Sequence, residues 1–472
     1  MLHSAALFTG AQMEPFVFPG KKKADGHELM TTAPVGSLIV SLALPAVVSM
    51  LTTSAYNTAD AYFVSQIGTS ASGAVGIVFA VMAVLQAIGF TLGMGAGSVV
   101  SRALGAKDAD TANRYASTAF FCSLSLGAAV CIIGHIFLDR LMTLMGATPT
   151  ILPLARDYAY WIFYGAPVIC GAFTMNIILR SEGHAAFAMR GLVSGGFLNV
   201  ILDPIFIFKL ELGISGAAMA TMISQCVSFL ILLSFFLRHK SEVRMNIKRV
   251  SLKPRVLFEI FSLGFPSFTR QAFASISAAA LNIAASGYGD AAVAAMSIVG
   301  RVFFLIQSVV IGIGHGFTPV AGYSYGAGNF RRVRKAFWFT IKGEMLLMTL
   351  LAAASYTLAP DIISLFRRND TEVIAIGTMA MRFQSLSLIL APLLVTSSMM
   401  HQGLGYAWRA TLLSCLRNGI CFIPMIALLP HIFGLTGVEA AQTAADALSF
   451  LITLPFTYCF LKMLKEKEKA GV

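Results

Sequence analysis

The chain has 472 residues, of which 57% are hydrophobic and only 12% are charged, and its mean hydropathy is +0.77. A soluble globular protein has roughly 25% charged residues, so this composition excludes a soluble domain and indicates a polytopic membrane protein. The net charge of +12 is spread over many loops rather than along one face, which argues against a nucleic-acid-binding protein.

Twelve apolar runs follow one another along the chain, and each is long enough to cross the hydrocarbon core of a bilayer. Because alternation with a period of two is absent and the runs are too long for barrel strands, we predict transmembrane α-helices. The runs lie at 36–58, 73–100, 115–138, 158–180, 187–208, 214–237, 257–286, 292–320, 337–358, 378–401, 410–432 and 436–461.

The two halves of the chain are predicted to be repeats. The segment "LALP" at 42–45 corresponds to "LGFP" at 263–266, and "GMGAG" at 93–97 corresponds to "GIGHG" at 312–316. Further glycine and proline pairs follow in the same order, with an offset of 219 to 221 residues. Six spans in each half keep both halves in the same orientation, so the repeat axis runs along the membrane normal. This predicts an all-α membrane protein with two six-helix lobes around a central cleft.

The basic residues predict the orientation in the membrane. Alternate loops carry 24 Lys and Arg residues on one side of the membrane and 5 on the other. The positive-inside rule therefore predicts that both termini are cytoplasmic. We expect the protein to lie in the plasma (inner) membrane. A monomer is sufficient for this architecture. The predicted organisation is a cytoplasmic extension at 1–35, an N-lobe at 36–237, a basic linker at 238–256, a C-lobe at 257–461 and a cytoplasmic tail at 462–472.

Polar groups interrupt the fifth span, "FLNVILDPIFIF" at 197–208. Asn199 and Asp203 are one helical turn apart and lie on the same face, and Pro204 cannot donate a helical hydrogen bond. A charge at mid-bilayer costs at least about 2.5–3.5 kcal/mol, so it is rare without a purpose. The carboxylate, the amide and the freed carbonyls suit a proton or Na⁺, although a structural carboxylate paired within the lobe is the alternative.

Asp60 is the other acid in the N-lobe spans, near the outer end of span 1. Pro45 precedes it by fifteen residues and gives this span a bend point. Asp60 as a loop residue at the aqueous interface is the competing interpretation. The C-lobe does not copy either acid, because Leu281 and Ile423 stand at the repeat-related positions. This asymmetry predicts that ion coupling resides in the N-lobe.

Other chemistries lack their motifs. The seven cysteines lie in apolar runs without a CxxC, which indicates buried small side chains rather than a zinc site or disulfides. No GxxxxGK[ST] motif is present, which disfavours an ATP-driven pump, and the histidines are too scattered for a membrane-embedded enzyme. The C-lobe spans contain basic and polar residues, and a pairing of Arg417 with Asp446 stays open. These residues are Arg270, Arg301, Arg382, Arg417, Asn418, Glu439 and Asp446.

Several segments in this order resemble the MATE (multidrug and toxic compound extrusion) family. They are "LALP…NTADAYFVSQIG" in span 1, "GMGAGSVVSRALGAKD" after span 2, "LRSEGH" after span 4, "FLNVILDPIFIF" in span 5 and "PVAGYSYGAGNFRR" after span 8. The likeness covers roughly residues 36–462 and implies the MATE/MOP fold. Within the family the chain is most similar to the MepA-like multidrug exporters of the DinF-like branch.

The resemblance implies which residues couple transport to an ion. The DinF-like pattern falls on Asp60, Asn199, Asp203 and Thr221, which would hold H⁺ or Na⁺, and on Pro45 as a hinge. No other cofactor is implied.

The implied function is efflux of cationic or amphipathic drugs in exchange for that ion, and hence antibiotic resistance. The 36 Phe and 22 Met suit a promiscuous apolar cavity. A lipid-linked oligosaccharide flippase of the same superfamily is the alternative, since Arg270, Arg301 and Arg417 would suit a pyrophosphate.

Overall fold

The computed structural model describes residues 26–367 and 370–470, and these residues form helices and no β-strand. Helix α1, Gly26–Thr32, precedes the lobes, and the N-lobe helices are α2 Val35–Ser65, α3 Thr69–Gly105, α4 Ala109–Ile136, α5 Leu138–Leu144, α6 Leu152–Ser181, α7 Ala185–Pro204 and α8 Gly213–Leu237. The C-lobe helices are α9 Pro254–Ser286, α10 Asp290–Gly326, α11 Phe330–Thr357, α12 Ala359–Phe366, α13 Thr371–Leu388, α14 Ala391–Gly403, α15 Ala407–Cys415, α16 Phe422–Phe433 and α17 Leu435–Ala470.

The predicted all-α membrane fold is confirmed. Within the described ranges, ten helices or helix–π-turn–helix units are long and apolar enough to cross a membrane, and α13 with α14 makes an eleventh span that is bent by 49°. The remaining long helix, α9, has 33 residues but carries Arg255, Glu259 and Arg270, which lower its hydropathy. The twelve predicted spans thus each coincide with a helix or a broken pair of helices. Of the predicted extension, 1–25 lie outside the described residues, and 26–32 form α1.

The repeat extends to two short helices that the sequence analysis did not predict. Helices α5 and α12 begin at Leu138 and Ala359, which are 221 residues apart, the same offset as the proline and glycine pairs. The loops that precede α4 and α11 are also equivalent, because Asp108 and Asn329 each accept a hydrogen bond from the backbone N–H three residues later. Helices α5 and α12 were not predicted because a helix of seven or eight residues is too short to cross a bilayer.

The basic linker is held against the N-lobe by hydrogen bonds to α4. The backbone N–H groups of Arg244 and Asn246 donate to Asn113 Oδ1 (2.6 Å) and Ser117 Oγ (3.0 Å). Near its start, the Ser241 hydroxyl donates to the carboxylate of Glu182 at 2.7 Å. The segment that connects the lobes therefore lies along one side of the molecule. This side is called the linker side.

The two lobes meet through glycines on the linker side. Gly95 of α3 lies against the Ile260 carbonyl oxygen of α9, and Gly264 of α9 lies against the Thr91 carbonyl oxygen of α3. In each case an added Cβ would collide with backbone rather than with a flexible side chain. Small residues allow this close approach between membrane helices. The lobe contact is consequently sensitive to a single methyl group.

Replacing Gly95 with alanine is expected to destabilise the protein by about 1–3 kcal/mol, because backbone atoms must move to accept the methyl group. Gly76 is the matched control, since it lies on the same helix and a Cβ there meets no atom within 4 Å. Thermal unfolding in detergent should give a lower Tm for Gly95→Ala and an unchanged or slightly higher Tm for Gly76→Ala. Equal Tm values for the two variants would contradict this lobe contact.

Candidate functional site

The polar cluster of the N-lobe is built where α7 ends. Asp203 and Pro204 are the last residues of α7, and a π-helical turn follows directly at Ile205–Lys209. Pro204 has no N–H to donate to the helix ladder, and π turns are often found at functional sites. The change of helix type begins next to Asp203, in a span that is otherwise apolar.

Asn199 connects Asp203 to the neighbouring helix α8. Its Nδ2 donates to Asp203 Oδ1 at 3.0 Å and to Thr221 Oγ1 at 3.3 Å. All three side chains are buried, and that of Asp203 is 0% exposed. The one-turn spacing of Asn199 and Asp203 thus gives the direct contact that the sequence predicts.

Asp60 reaches the same region from α2. Tyr158 of α6, which is fully buried, donates its hydroxyl to Asp60 Oδ2 at 3.3 Å. Tyr158 also interacts electrostatically with Asp203, and Asp60 and Asp203 interact with each other. Asp60 is half-buried rather than fully exposed at the interface. The structure therefore brings Asp60, Asn199, Asp203 and Thr221 together and adds Tyr158 to them.

Three oxygens of this cluster lack hydrogen-bond partners. Asp60 Oδ1, Asp203 Oδ2 and Asn199 Oδ1 are buried and accept no hydrogen bond from the residues that the structure describes. A buried acceptor without a donor is costly. A proton on a carboxyl group, or a hard cation such as Na⁺, would satisfy such oxygens. These oxygens are therefore suitable ligands for a small cation.

Pro45 lies inside α2, which runs through it as one helix, and the Pro45 carbonyl accepts a hydrogen bond from Ser49 Oγ at 2.8 Å. The residues on either side of it face α10 of the other lobe. Gly316 packs on the backbone of Ala43, and Gly312 packs on that of Val47. A change of direction at Pro45 would therefore act directly on the contact between the lobes.

The C-lobe contains a buried acid that is paired with an arginine. Arg417 lies in a second π turn, Leu416–Ile420, and binds Asp446 through two hydrogen bonds of 2.9 Å and 3.1 Å. Gln442 also donates to Asp446 at 2.9 Å. The pairing that the sequence left open is present, and it satisfies a carboxylate that is 0% exposed.

Glu344 is a buried acid of a predicted span that the sequence analysis missed. Glu344 of α11 is 1% exposed, its Oε2 accepts a hydrogen bond from Thr396 at 2.7 Å, and its Oε1 has no partner among the described residues. The signal was available, because Glu344 stands inside the predicted span 337–358. Tyr158 was also missed, since a tyrosine in an apolar run gives no sign of which side chain it contacts.

A family model matches the chain twice. The model described as MatE covers residues 45–205 and again residues 266–428. One match lies in each lobe, so both halves resemble the same family model.

Curated relatives match nearly the full length of the chain. The multidrug export protein MepA of Staphylococcus aureus is 28% identical over 429 residues, which cover 90% of this chain and 94% of the relative. The protein of the same name from Staphylococcus saprophyticus is 27% identical over 421 residues, with 89% and 93% covered.

Solved structures share the whole fold. A multidrug resistance MATE family transporter of the MOP superfamily, in an outward-facing conformation, superposes with a TM-score of 0.89 at 29% identity. A MOP superfamily transporter from Pyrococcus furiosus gives 0.88 at 29% identity. Each superposition covers 94% of this chain and 100% of the solved chain.

Replacing Arg417 with methionine is expected to lower the free energy of unfolding by about 3–5 kcal/mol, because it leaves the Asp446 carboxylate buried without its cation. The control is Arg156→Met, which removes an exposed pair with Asp139 at 3.8 Å and should change stability by less than about 1 kcal/mol. Denaturation in detergent measures both. A double variant, Arg417→Met with Asp446→Leu, should recover most of the loss, and equal effects of the two single variants would contradict the assignment.

Proposed function

Because the chain belongs to the MatE family, we propose that it is a secondary active transporter that exports cationic and amphipathic drugs in exchange for H⁺ or Na⁺. The observation that carries the proposal is the buried cluster of Asp60, Asn199 and Asp203, whose oxygens outnumber their hydrogen-bond donors. The relatives named as multidrug export proteins support the class of substrate.

The exchange rests on the charge of the acidic pair. With both carboxyl groups ionised, Asp60 and Asp203 repel each other in a medium that screens charge poorly. A proton or Na⁺ that enters the cluster removes this repulsion and changes which position of α2 is stable. Drug and ion need not touch, because each only has to prefer a different conformation of the same protein.

Helix α2 provides a mechanical route from the ion to the drug pathway. Its outer part carries Asp60, and its inner part packs on Gly312 and Gly316 of α10. Pro45 lies between the residues that make those contacts and is the point at which α2 bends most easily. A bend there loosens or tightens the lobe contact on the linker side. The cleft then opens to one side of the membrane at a time, which is the alternating access that exchange requires.

The exporter is favoured over the flippase because one of the three candidate arginines is already paired with an acid. A pyrophosphate site needs several free cationic side chains, and Arg417 is already bound to Asp446 by two hydrogen bonds. Arg301 is exposed in α10. Of the three arginines that would suit a pyrophosphate, this leaves Arg270 as the one that is neither paired with an acid among the described residues nor exposed.

Replacing Asp203 with asparagine is expected to reduce ethidium efflux by about 5- to 150-fold, the range of an ordinary coupling free energy. The amide keeps the size of the side chain but cannot take up a proton or compensate a cation. Asp60→Asn should act in the same direction. Proteoliposomes loaded with ethidium and given a pH gradient or a sodium gradient provide the measurement, and the gradient that drives efflux identifies the ion.

Asp157→Asn is the matched control, because Asp157 is an exposed acid on α6, one residue before Tyr158. Its efflux should equal that of the unaltered protein under both gradients. Full efflux by a folded Asp203→Asn variant would refute the assignment of the coupling residues.

A further inference from the structure

A basic side chain is buried at the contact between the lobes, and the proposed exchange does not use it. Arg180 lies in the last turn of α6 and is only 4% exposed. Its Nε and Nη2 are buried and make no hydrogen bond within residues 26–367 and 370–470. No carboxylate in those ranges forms an ion pair with it, whereas Arg417 and Arg334 each have one. A buried cation without a counter-charge is strongly unfavourable.

Arg180 lines a small pocket to which both lobes contribute. The N-lobe supplies Ser98, Arg180 and Ser181, and the C-lobe supplies His315 and Thr318 of α10, while the rest of the lining is apolar. The pocket lies towards the linker side, because these residues are near the ends of α3, α6 and α10 that approach it. It exists only while the lobes are in contact there.

The hydroxyl groups of the pocket are already used. Ser98, Ser181 and Thr318 donate to carbonyl oxygens of their own helices, at 2.8 Å, 2.9 Å and 2.8 Å. The donors that remain are the N–H groups of Arg180 and a ring nitrogen of His315, a residue that is 5% exposed. The pocket therefore presents hydrogen-bond donors from one side chain of each lobe.

The charge around the pocket is positive. His315 interacts electrostatically with both Arg180 and Arg270. Arg270 reaches Ser267 Oγ at 3.4 Å, and no acid of the described chain forms an ion pair with it. A cation would be repelled from this position, and a water molecule would supply no compensating charge. The chemistry fits an anion.

We propose that this pocket binds a small monovalent anion of the size of chloride, held between Arg180 and His315. The pocket is small, and the Arg180 and His315 side chains both line it, which suits a compact anion. Because one donor comes from each lobe, the anion binds the conformation in which the linker side is closed and stabilises it. The anion is thus a bridge between the lobes, distinct from the N-lobe cation cluster.

The test is an anion titration of the full chain in detergent. Starting in sodium gluconate at constant ionic strength, chloride or bromide should raise the Tm in a saturable manner by about 2 °C or more. Arg180→Gln should abolish the shift, and Arg301→Gln should retain it, since Arg301 is an exposed arginine on the same helix as His315.

Crystals of the unaltered protein grown in bromide provide a second readout that does not depend on the folding of a variant. An anomalous peak between the Arg180 guanidinium and the His315 ring supports the proposal. The absence of that peak at saturating bromide, or a chloride shift of equal size in Arg180→Gln, would overturn it.

Discussion

Two carboxyl groups share a buried region of the N-lobe, and the side chains around them supply fewer hydrogen-bond donors than their oxygens require. Tyr158 donates one hydrogen bond to Asp60 and Asn199 donates one to Asp203, and the other oxygen of each acid is left without a partner among the described residues. In a low-dielectric interior such a deficit is removed by a water molecule, by a proton, by a cation or by movement, and a proton or a cation also removes the charge. The proposed exchange follows from this constraint, since taking up an ion and changing conformation are alternative ways to meet it.

The acids of the N-lobe cluster and Asp446 of the C-lobe differ in their partners, although Glu344 shows that the C-lobe also holds a buried acid without a cation among the described residues. In the C-lobe, Asp446 is neutralised permanently by Arg417 and further bound by Gln442. In the N-lobe no basic side chain among the described residues pairs with Asp203 or Asp60. A permanent ion pair stabilises one packing, whereas an unpaired acid responds to the ions that reach it. This difference supports the proposal that the ion-dependent step resides in the N-lobe, with the C-lobe as the surface against which α2 would move.

Much of the fold was predictable because the membrane imposes a length on each helix. All twelve apolar runs correspond to helices or broken helices, and the repeat offset located both lobes. The break between α13 and α14, a bend of 49°, was not predicted, although Pro392 in the first turn of α14 is a residue that interrupts helices. The short helices α5 and α12 were missed because hydropathy over the length of a bilayer does not register them.

The site was predictable only where its residues are neighbours in sequence. Asn199 and Asp203 are one turn apart, and helical geometry makes their contact nearly inevitable. Their meeting with Asp60 and Thr221 was implied by the family resemblance and not by spacing. Tyr158, Glu344 and the partner of Arg417 depend on how separate helices are rotated against one another. An apolar run of uniform hydropathy does not define that rotation, so these contacts required the three-dimensional structure.

The central claim is that the acidic pair of the N-lobe gains and loses a small cation. Infrared difference spectroscopy of the reconstituted protein tests it most directly, because a protonated buried carboxyl group has a C=O band that an ionised one lacks. On acidification we expect such a band to appear, to weaken in Asp203→Asn and, if Na⁺ competes with H⁺, to diminish on addition of sodium at fixed pH. If the band in Asp203→Asn and in Asp60→Asn were as large as in the unaltered protein, the account would be contradicted.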